Sequence, residues 1–179
     1  MKTLVAVASR HGSTEEIARA ITEELRAAGL GVDLSDADAV TAVDAYDAVV
    51  LGSAVYMGAW LPEACEFVER HRLKLASLPV WLFSSGPLGA EDPKPHGEPS
   101  VLPDLIDATH PRGHQIFAGK LDPQSLGLSE RLVTRLVRAP AGDFRVWQDI
   151  RAWARAIAVA LSGAGPDGQR TGVSGGTEE

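Results

Sequence analysis

The sequence predicts an α/β protein with a doubly wound parallel sheet and helices on both faces. Apolar runs of strand length alternate with helical patterns along the chain, and three of the predicted strands end in loops of serine and glycine. This alternation favours parallel strands joined by right-handed crossovers. Because open parallel sheets bind ligands outside the carboxyl ends of their strands, the repeated small-residue loops also predict a binding site at that edge.

The composition fits one compact domain followed by a short tail. Of the 179 residues, 45% are hydrophobic and 23% are charged, so the chain can bury a sizeable core. The net charge of −7 argues against nucleic acid as a partner, because neutralising phosphates needs a concentrated basic patch. With Cys65 as the only cysteine, and no signal-peptide core or membrane-length apolar stretch, we expect a cytoplasmic protein. Residues 1–161 should form the domain, and the polar, glycine-rich residues 162–179 a disordered tail.

The first strand-to-helix turn carries the most informative motif. Residues 3–8 form an apolar run typical of a strand buried on both faces, and a helical pattern extends from Glu15 to a stop at Gly29. The intervening stretch is Ser9-Arg10-His11-Gly12-Ser13-Thr14. Its small residues and hydroxyls next to a helix N-terminus suit a phosphate cradle. The spacing of Ser13 and Glu16 fits a capping box equally well, so this stretch alone allows both interpretations.

The next three elements are an edge strand, a central strand and a helix. Residues 31–35 are weakly apolar, short and followed by aspartates, which predicts a strand at the sheet edge. Residues 47–53 contain three consecutive apolar side chains and end in Gly-Ser, which predicts a central strand. A helix is predicted from Pro62 to Arg72, because proline in the first turn of a helix loses no hydrogen bond.

Two further strands and one helix complete the sheet pattern. Residues 79–84 form an apolar strand that runs into the small residues Ser84-Ser85-Gly86. Prolines, glycines and charges predict a loop from Pro87 to Pro99. A helix is predicted over residues 101–109, and the last strand over residues 114–120.

The last two helical patterns extend beyond the simplest version of this fold. Residues 126–138 place leucines and valines opposite Arg131, Arg135 and Arg138, which predicts a basic amphipathic helix. This helix either packs on the sheet or docks on a membrane surface or a partner. The final helix is predicted over residues 144–161. Its expected core face consists of Val146, Trp147, Ile150, Trp153, Ala154, Ile157 and Leu161.

Taken together, these motifs resemble flavodoxin-like FMN proteins. The resemblance rests on the loop at residues 9–14, the loop at residues 52–58 and the order of elements through residue 161. The strand end Phe117-Ala118-Gly119-Lys120-Leu121, followed by a helical insertion at about residues 122–142, is most similar to the flavodoxin-type protoporphyrinogen oxidase branch, which depends on menaquinone. The resemblance implies a five-stranded parallel sheet in the order 2-1-3-4-5, with FMN as the cofactor.

The resemblance also implies which residues bind FMN. The phosphate would be held by Ser9, His11, Gly12, Ser13 and Thr14, although His11 stands where flavodoxin loops have threonine. Arg10 is the nearest cation and either pairs with this phosphate or is simply exposed. The flavin ring would lie among Ser53, Ala54, Val55, Tyr56, Met57, Gly58, Trp60, Ser84, Ser85, Gly86 and Pro87. Within this set Gly58 would lie beside flavin N5, and Tyr56 and Trp60 either stack on the ring or are ordinary surface or core aromatics.

Three classes of function follow from these expectations. The first is an electron carrier or small reductase that exchanges electrons with a redox partner protein or a small molecule. The second is an oxidase acting on a porphyrinogen-like or quinone substrate, with the insertion at residues 126–138 supplying an apolar, cationic surface. The third is a flavin-free signalling domain of the same fold. In the first two the flavin performs the chemistry, so we expect no catalytic acid or base, and the scattered histidines predict no metal site.

Overall fold

Five long parallel strands form the central sheet of the computed structural model, which describes residues 1–56, 58–86, 102–121 and 142–163. The strands are β1 (Lys2–Ala8), β2 (Gly31–Asp36), β3 (Ala48–Tyr56), β4 (Ala59–Trp60), β5 (Val80–Gly86), β6 (Gly113–Ala118), β7 (Lys120–Leu121) and β8 (Gly142–Asp143). The helices within the described ranges are α1 (Ser13–Ala27), α2 (Pro62–Leu75), α3 (Leu102–Thr109) and α4 (Trp147–Ser162).

The strand order of the sheet is β2-β1-β3-β5-β6, and all of these neighbours are parallel. The short strand β4 turns back to pair antiparallel with the end of β3. Counting the long strands alone gives the predicted order 2-1-3-4-5, with β2 at the predicted edge. The pair β7 and β8 forms a separate antiparallel ribbon. The expected fold class is therefore confirmed.

The strand register brings the predicted binding loops to one edge of the sheet. Ala8 pairs with Ser53, Ser53 pairs with Ser84, and Ser84 pairs with Ile116. Because these strands all run in the same direction, the chain leaves β1, β3 and β5 on the same side of this row. The small residues that follow the three strands are thus neighbours in space.

Side chains alternate between two hydrophobic cores, one on each face of the sheet. In β1, Leu4 packs in the core shared with α2 and α3, whereas Val5 packs in the core shared with α1 and α4. The same alternation places Leu82 and Phe83 of β5 on opposite faces. Each such side chain is almost fully buried, and burying one contributes about 1.5–3 kcal/mol.

Helix α1 ends as its sequence predicts. Gly29 adopts φ 87°, its N–H donates to the carbonyl of Arg26 at 2.9 Å, and the N–H of Leu30 donates to the carbonyl of Leu25 at 3.2 Å. This is a Schellman motif, which requires a residue with positive φ and therefore favours glycine.

Two of the predicted boundaries that are wrong lie next to the ribbon of β7 and β8. The last strand ends at Ala118 and does not continue to residue 120, because Lys120 and Leu121 pair antiparallel with β8 instead. The final helix begins at Trp147 rather than at residue 144, because the chain up to Asp143 still pairs in the ribbon. Val146 consequently precedes the helix in an extended conformation and is 54% exposed, so it is not part of the core face.

Three predicted segments lie outside the described residues. They are the loop at residues 87–99, the amphipathic helix at residues 126–138 and the disordered tail, apart from its first two residues. In the part of the chain that the structure does describe, no helix is long and apolar enough to cross a membrane.

Candidate functional site

The turn between β1 and α1 is built around Gly12. This residue has φ 79°, and its carbonyl accepts the N–H of Glu16 at 2.9 Å to close the first turn of the helix. A Cβ at this position would meet nothing within 4 Å among the described residues. Glycine is therefore favoured here by its backbone conformation rather than by crowding.

Several hydrogen-bond donors of this turn have no acceptor among the described residues. The amides of Ser13, Thr14 and Glu15 open the helix and have no such acceptor, and a helix N-terminus attracts anions. The hydroxyl of Ser9 is buried and also has no partner there. A buried hydroxyl without a partner costs about 1–3 kcal/mol, which an anionic ligand would recover. The donor set fits a phosphate group.

The capping-box interpretation of this turn is wrong. Ser13 is the first residue of the helix rather than its cap, and its Oγ accepts the N–H of Lys120 at 3.1 Å. Glu16 pairs instead with Arg145, at 2.7 Å between Oε2 and a guanidinium nitrogen. A hydroxyl group that accepts one hydrogen bond keeps its own proton, so Ser13 can still donate a hydrogen bond to a ligand.

Arg145 is a buried charged residue beside this turn that the sequence did not reveal. Its side chain is 3% exposed and contacts Asp143 at 2.7 Å, in addition to Glu16. It also donates to the carbonyl of Ser13 at 3.3 Å and lies 4.5 Å from the centroid of the Trp147 ring. Hydrogen bonds from this guanidinium lower the pKa of Asp143, and the same contact raises the pKa of Arg145. The arginine thus links the start of α1 to the ribbon of β7 and β8.

Tyr56 and Arg10 are brought together beside the turn. Tyr56 ends β3 and is half-buried, and the Arg10 guanidinium carbon lies 5.0 Å from its ring centroid. This distance permits a cation–π contact. Two site residues predicted on different loops are therefore neighbours, and His11 follows Arg10 as an exposed residue of the same turn.

Trp60 lies in the core rather than on an open surface. The residue is 4% exposed, and its Nε1 donates to the Oγ of Ser84 at 2.8 Å. The same oxygen lies 2.9 Å from Nε2 of His114. Ser53 is also fully buried, and its Oγ accepts the N–H of Leu61 at 3.0 Å. The alternative assignment of Trp60 as a core aromatic agrees with its burial, and flavin contact by these side chains stays a prediction.

The end of β5 is packed tightly against Gly119. A Cβ on Gly119 would lie 2.7 Å from the carbonyl oxygen of Gly86, which leaves room for glycine alone. Ser85 beside it is 4% exposed. At the neighbouring hairpin Gly58 adopts φ 80° between β3 and β4. Met57 and Pro87 lie outside the described residues, and Ala54 and Val55 are half-buried.

The described residues of this region form no group that could bind a metal ion. Within the described ranges, no three histidine, cysteine, aspartate or glutamate side chains are grouped so that they could hold a metal ion. The donors of the turn before α1 that have no acceptor among the described residues are a hydroxyl and backbone amides, and such groups bind phosphate.

Comparison with known proteins identifies a sequence relative and solved structures of similar fold. The chain is 25% identical over 172 residues to protoporphyrinogen IX dehydrogenase (quinone) of Escherichia coli K12, a match that covers 88% of this chain and 95% of that protein. Its fold is similar to that of a flavodoxin from the domain Archaea, with a TM-score of 0.60, 15% identity, and coverage of 90% of this chain and 99% of the other. Flavodoxin 2 of Bacillus cereus gives a TM-score of 0.57 at 22% identity, with coverage of 91% and 99%.

The family match extends over most of the chain. Residues 4–145 match the flavodoxin domain family, so the match includes the turn before α1 and the strand ends that meet beside it. It also reaches the ribbon of β7 and β8. The chain therefore belongs to the flavodoxin domain family.

Proposed function

We propose that this protein is an FMN-dependent redox protein that binds the cofactor phosphate in the turn between β1 and α1. The observation that carries this proposal is the donor set of the turn. The first amides of α1 and the buried hydroxyl of Ser9 have no acceptor among the described residues, and the hydroxyl proton of Ser13 can be donated. A phosphate monoester presents the oxygen acceptors that these groups lack.

The residues beside the turn set the environment of the cofactor. Bound FMN would supply one- and two-electron transfer, and the protein would supply binding, orientation and electrostatics. Tyr56 offers an aromatic face next to the turn, and Arg10 adds a positive charge within 5.0 Å of that ring centroid. The net charge of −7 disfavours further negative charge and so lowers the reduction potential.

Replacing Ser9 by alanine tests the phosphate assignment. Because a hydrogen bond to a charged group is worth about 1.5–3 kcal/mol, Ser9→Ala should weaken FMN binding about tenfold or more and change riboflavin binding little. Both affinities can be measured on the apoprotein by flavin fluorescence quenching.

A matched control comes from the far end of β1, the strand that precedes this turn. Thr3 has a buried hydroxyl that also lacks a partner in the described structure, so Thr3→Val removes a comparable group away from the turn. This variant should leave both affinities unchanged. Equal losses of FMN and riboflavin affinity in Ser9→Ala would contradict a phosphate site in this turn.

The second candidate function is oxidation of a porphyrinogen with a quinone as electron acceptor. It is favoured over a simple electron carrier by the match to the Escherichia coli dehydrogenase, which covers 95% of that protein. Each removal of two electrons and two protons from the porphyrinogen would be balanced by reduction of one quinone to a quinol. The basic residues Arg131, Arg135 and Arg138 would attract the carboxylates of such a substrate.

An assay with protoporphyrinogen and menaquinone separates the two activities. The FMN-loaded enzyme should produce fluorescent porphyrin anaerobically only when the quinone is present. If protein fully loaded with FMN gives no porphyrin under these conditions, the oxidase function is contradicted and electron transfer remains the proposed function.

Charge reversal tests the contribution of the basic segment. Replacing Arg131, Arg135 and Arg138 together by glutamate should raise the apparent KM for the porphyrinogen or abolish vesicle association, with FMN content unchanged. Unchanged kinetics and unchanged vesicle association would show that this segment only packs on the domain.

A further inference from the structure

Two carboxylates lie in the first turn of α1, where the proposed FMN phosphate would bind. Glu15 and Glu16 are the acidic residues of this turn. A negative charge there stabilises the helix, but it would repel a phosphate dianion held at the same N-terminus. The turn can bind FMN tightly only if these charges are compensated.

Each carboxylate has an arginine partner, and the two partners differ in burial. Glu15 pairs with Arg19 one helical turn away, whose side chain is 62% exposed. Glu16 pairs with Arg145, whose side chain is 3% exposed. The Glu16 carboxylate is itself 51% exposed, but the buried Arg145 is held in one position and is screened less by water and salt than the exposed Arg19. Arg145 is therefore the main compensating charge of this turn.

Arg145 is held in place by contacts on several sides. Asp143 accepts two hydrogen bonds from its guanidinium, at 2.8 and 2.7 Å, and the carbonyl of Ser13 accepts a third at 3.3 Å. The Trp147 ring covers it at 4.5 Å. A guanidinium fixed in this way cannot swing out into solvent, so its charge stays beside Glu16.

We propose that Arg145 is a positioning residue for FMN selectivity, which neutralises Glu16 beside the cofactor phosphate. This inference rests on the proposed phosphate site. It assigns to Arg145 an electrostatic effect on phosphate binding in addition to its mechanical link with the ribbon of β7 and β8. The two effects separate in a double-variant cycle, because removing Glu16 removes the charge problem but does not rebuild the ribbon contact.

The measured quantity is the ratio of riboflavin to FMN dissociation constants of the apoprotein, which isolates the phosphate contribution. Arg145→Met exposes the phosphate to an uncompensated carboxylate and should lower this ratio about tenfold. The double variant Arg145→Met/Glu16→Gln should recover most of the loss. Glu16→Gln alone should keep the ratio or raise it, since it leaves Arg145 with one fewer negative partner.

Asp143→Asn is the matched control. It weakens the other ion pair of the same arginine, on the ribbon side, and leaves Glu16 compensated. This variant should unfold at a lower temperature than the wild type. Its ratio should stay the same or rise, because Asp143→Asn also leaves Arg145 with one fewer negative partner. A purely structural role predicts the opposite pattern, in which FMN and riboflavin affinities fall together in every variant that loosens the ribbon.

Arg145→Lys keeps the experiment decisive if Arg145→Met does not fold. Lysine retains the charge and loses the forked hydrogen bonds, so the ratio should stay within about threefold of the wild type although the melting temperature falls. A large loss of FMN selectivity in this variant, or no recovery in the double variant, would overturn the proposal. If the wild type itself does not distinguish FMN from riboflavin, the proposed phosphate site fails instead.

Discussion

At the scale of single residues, two buried hydroxyls have no hydrogen-bond partner among the described residues: that of Thr3 in β1 and that of Ser9 in the turn after it. We expect the first to affect stability and the second to affect ligand binding. Thr3 is fully buried in the strand, and its hydroxyl has no partner among the described residues. Thr3→Val replaces this group by a methyl of similar volume and should raise the free energy of unfolding by about 1 kcal/mol. Urea unfolding measures the change, and a loss of stability would indicate an acceptor for this hydroxyl.

Gly52 illustrates a glycine required by packing rather than by its backbone angles. A Cβ there would lie 1.9 Å from the ring of Phe83, which is itself buried against Phe117 and Trp153. Gly52→Ala should therefore destabilise the fold by about 1–3 kcal/mol or more, because the aromatic cluster must move. Thermal unfolding tests this, with Gly113→Ala as the control, since a Cβ on Gly113 meets its nearest neighbour at an ordinary 3.6 Å. Similar losses in both variants would point to strand propensity instead.

At the scale of whole elements, α1 and α4 are joined by ion pairs, of which those made by Glu24 are the shortest. Glu24 accepts hydrogen bonds from Arg155 at 2.8 Å and from Arg151 at 3.0 Å. These bonds, that from Arg155 first, lower the pKa of Glu24 from its ordinary 4.5. A lowered pKa in the folded state means that the pair stabilises the protein fully above about pH 4.5, and that this stability is lost as the pH falls through the lowered pKa.

Glu24→Gln should consequently be less stable than the wild type near neutral pH, and the difference should shrink as the solution is acidified. Urea unfolding at several pH values measures the difference directly. Arg19, whose ion pair lies within α1 alone, provides the comparison through Arg19→Gln. A stability difference for Glu24→Gln that does not change with pH would show that the interface depends on packing rather than on charge.

Periodicity predicted the long elements well, because a strand or helix of six or more residues repeats its pattern several times. It could not predict β4, β7 or β8, since a strand of two residues has no period. The end of β6 at Ala118 was missed for a related reason, because it depends on the pairing of the next residues with β8, more than twenty positions along the chain.

Prediction of the candidate site from the sequence is limited in the same way, to features that are local in the chain. The residues of the turn before α1 could be proposed from the sequence because their chemistry is local, since small residues and hydroxyls adjoin the start of a helix. Arg145 gives no such signal, since the carbonyl of Ser13 that it contacts lies 132 positions away. The burial of Trp60 was equally hidden, because its partner Ser84 belongs to a different strand. Contacts of this kind follow from the fold and not from the local pattern.

At the scale of the whole molecule, the net charge should govern how the potential of the bound flavin responds to salt. The chain carries a formal charge of −7, which opposes electron uptake at the site. Added salt screens this field, since the Debye length falls from about 30 Å at 0.01 M to about 3 Å at 1 M. The two-electron midpoint potential of the FMN-loaded protein should therefore rise between low and high salt, by an amount on the order of tens of millivolts.

Screening of the cations near the site would have the opposite effect on the midpoint potential. Arg10 lies beside Tyr56, and Arg145 lies at the start of α1, so screening these charges alone would lower the potential. The whole-molecule field should win, because the partners of Arg145 already cancel its charge locally while the net charge is uncompensated. Spectroelectrochemistry at several salt concentrations decides between them. A potential that falls with salt would show that the cations next to the turn, rather than the acidic surface, set the energy of the reduced cofactor.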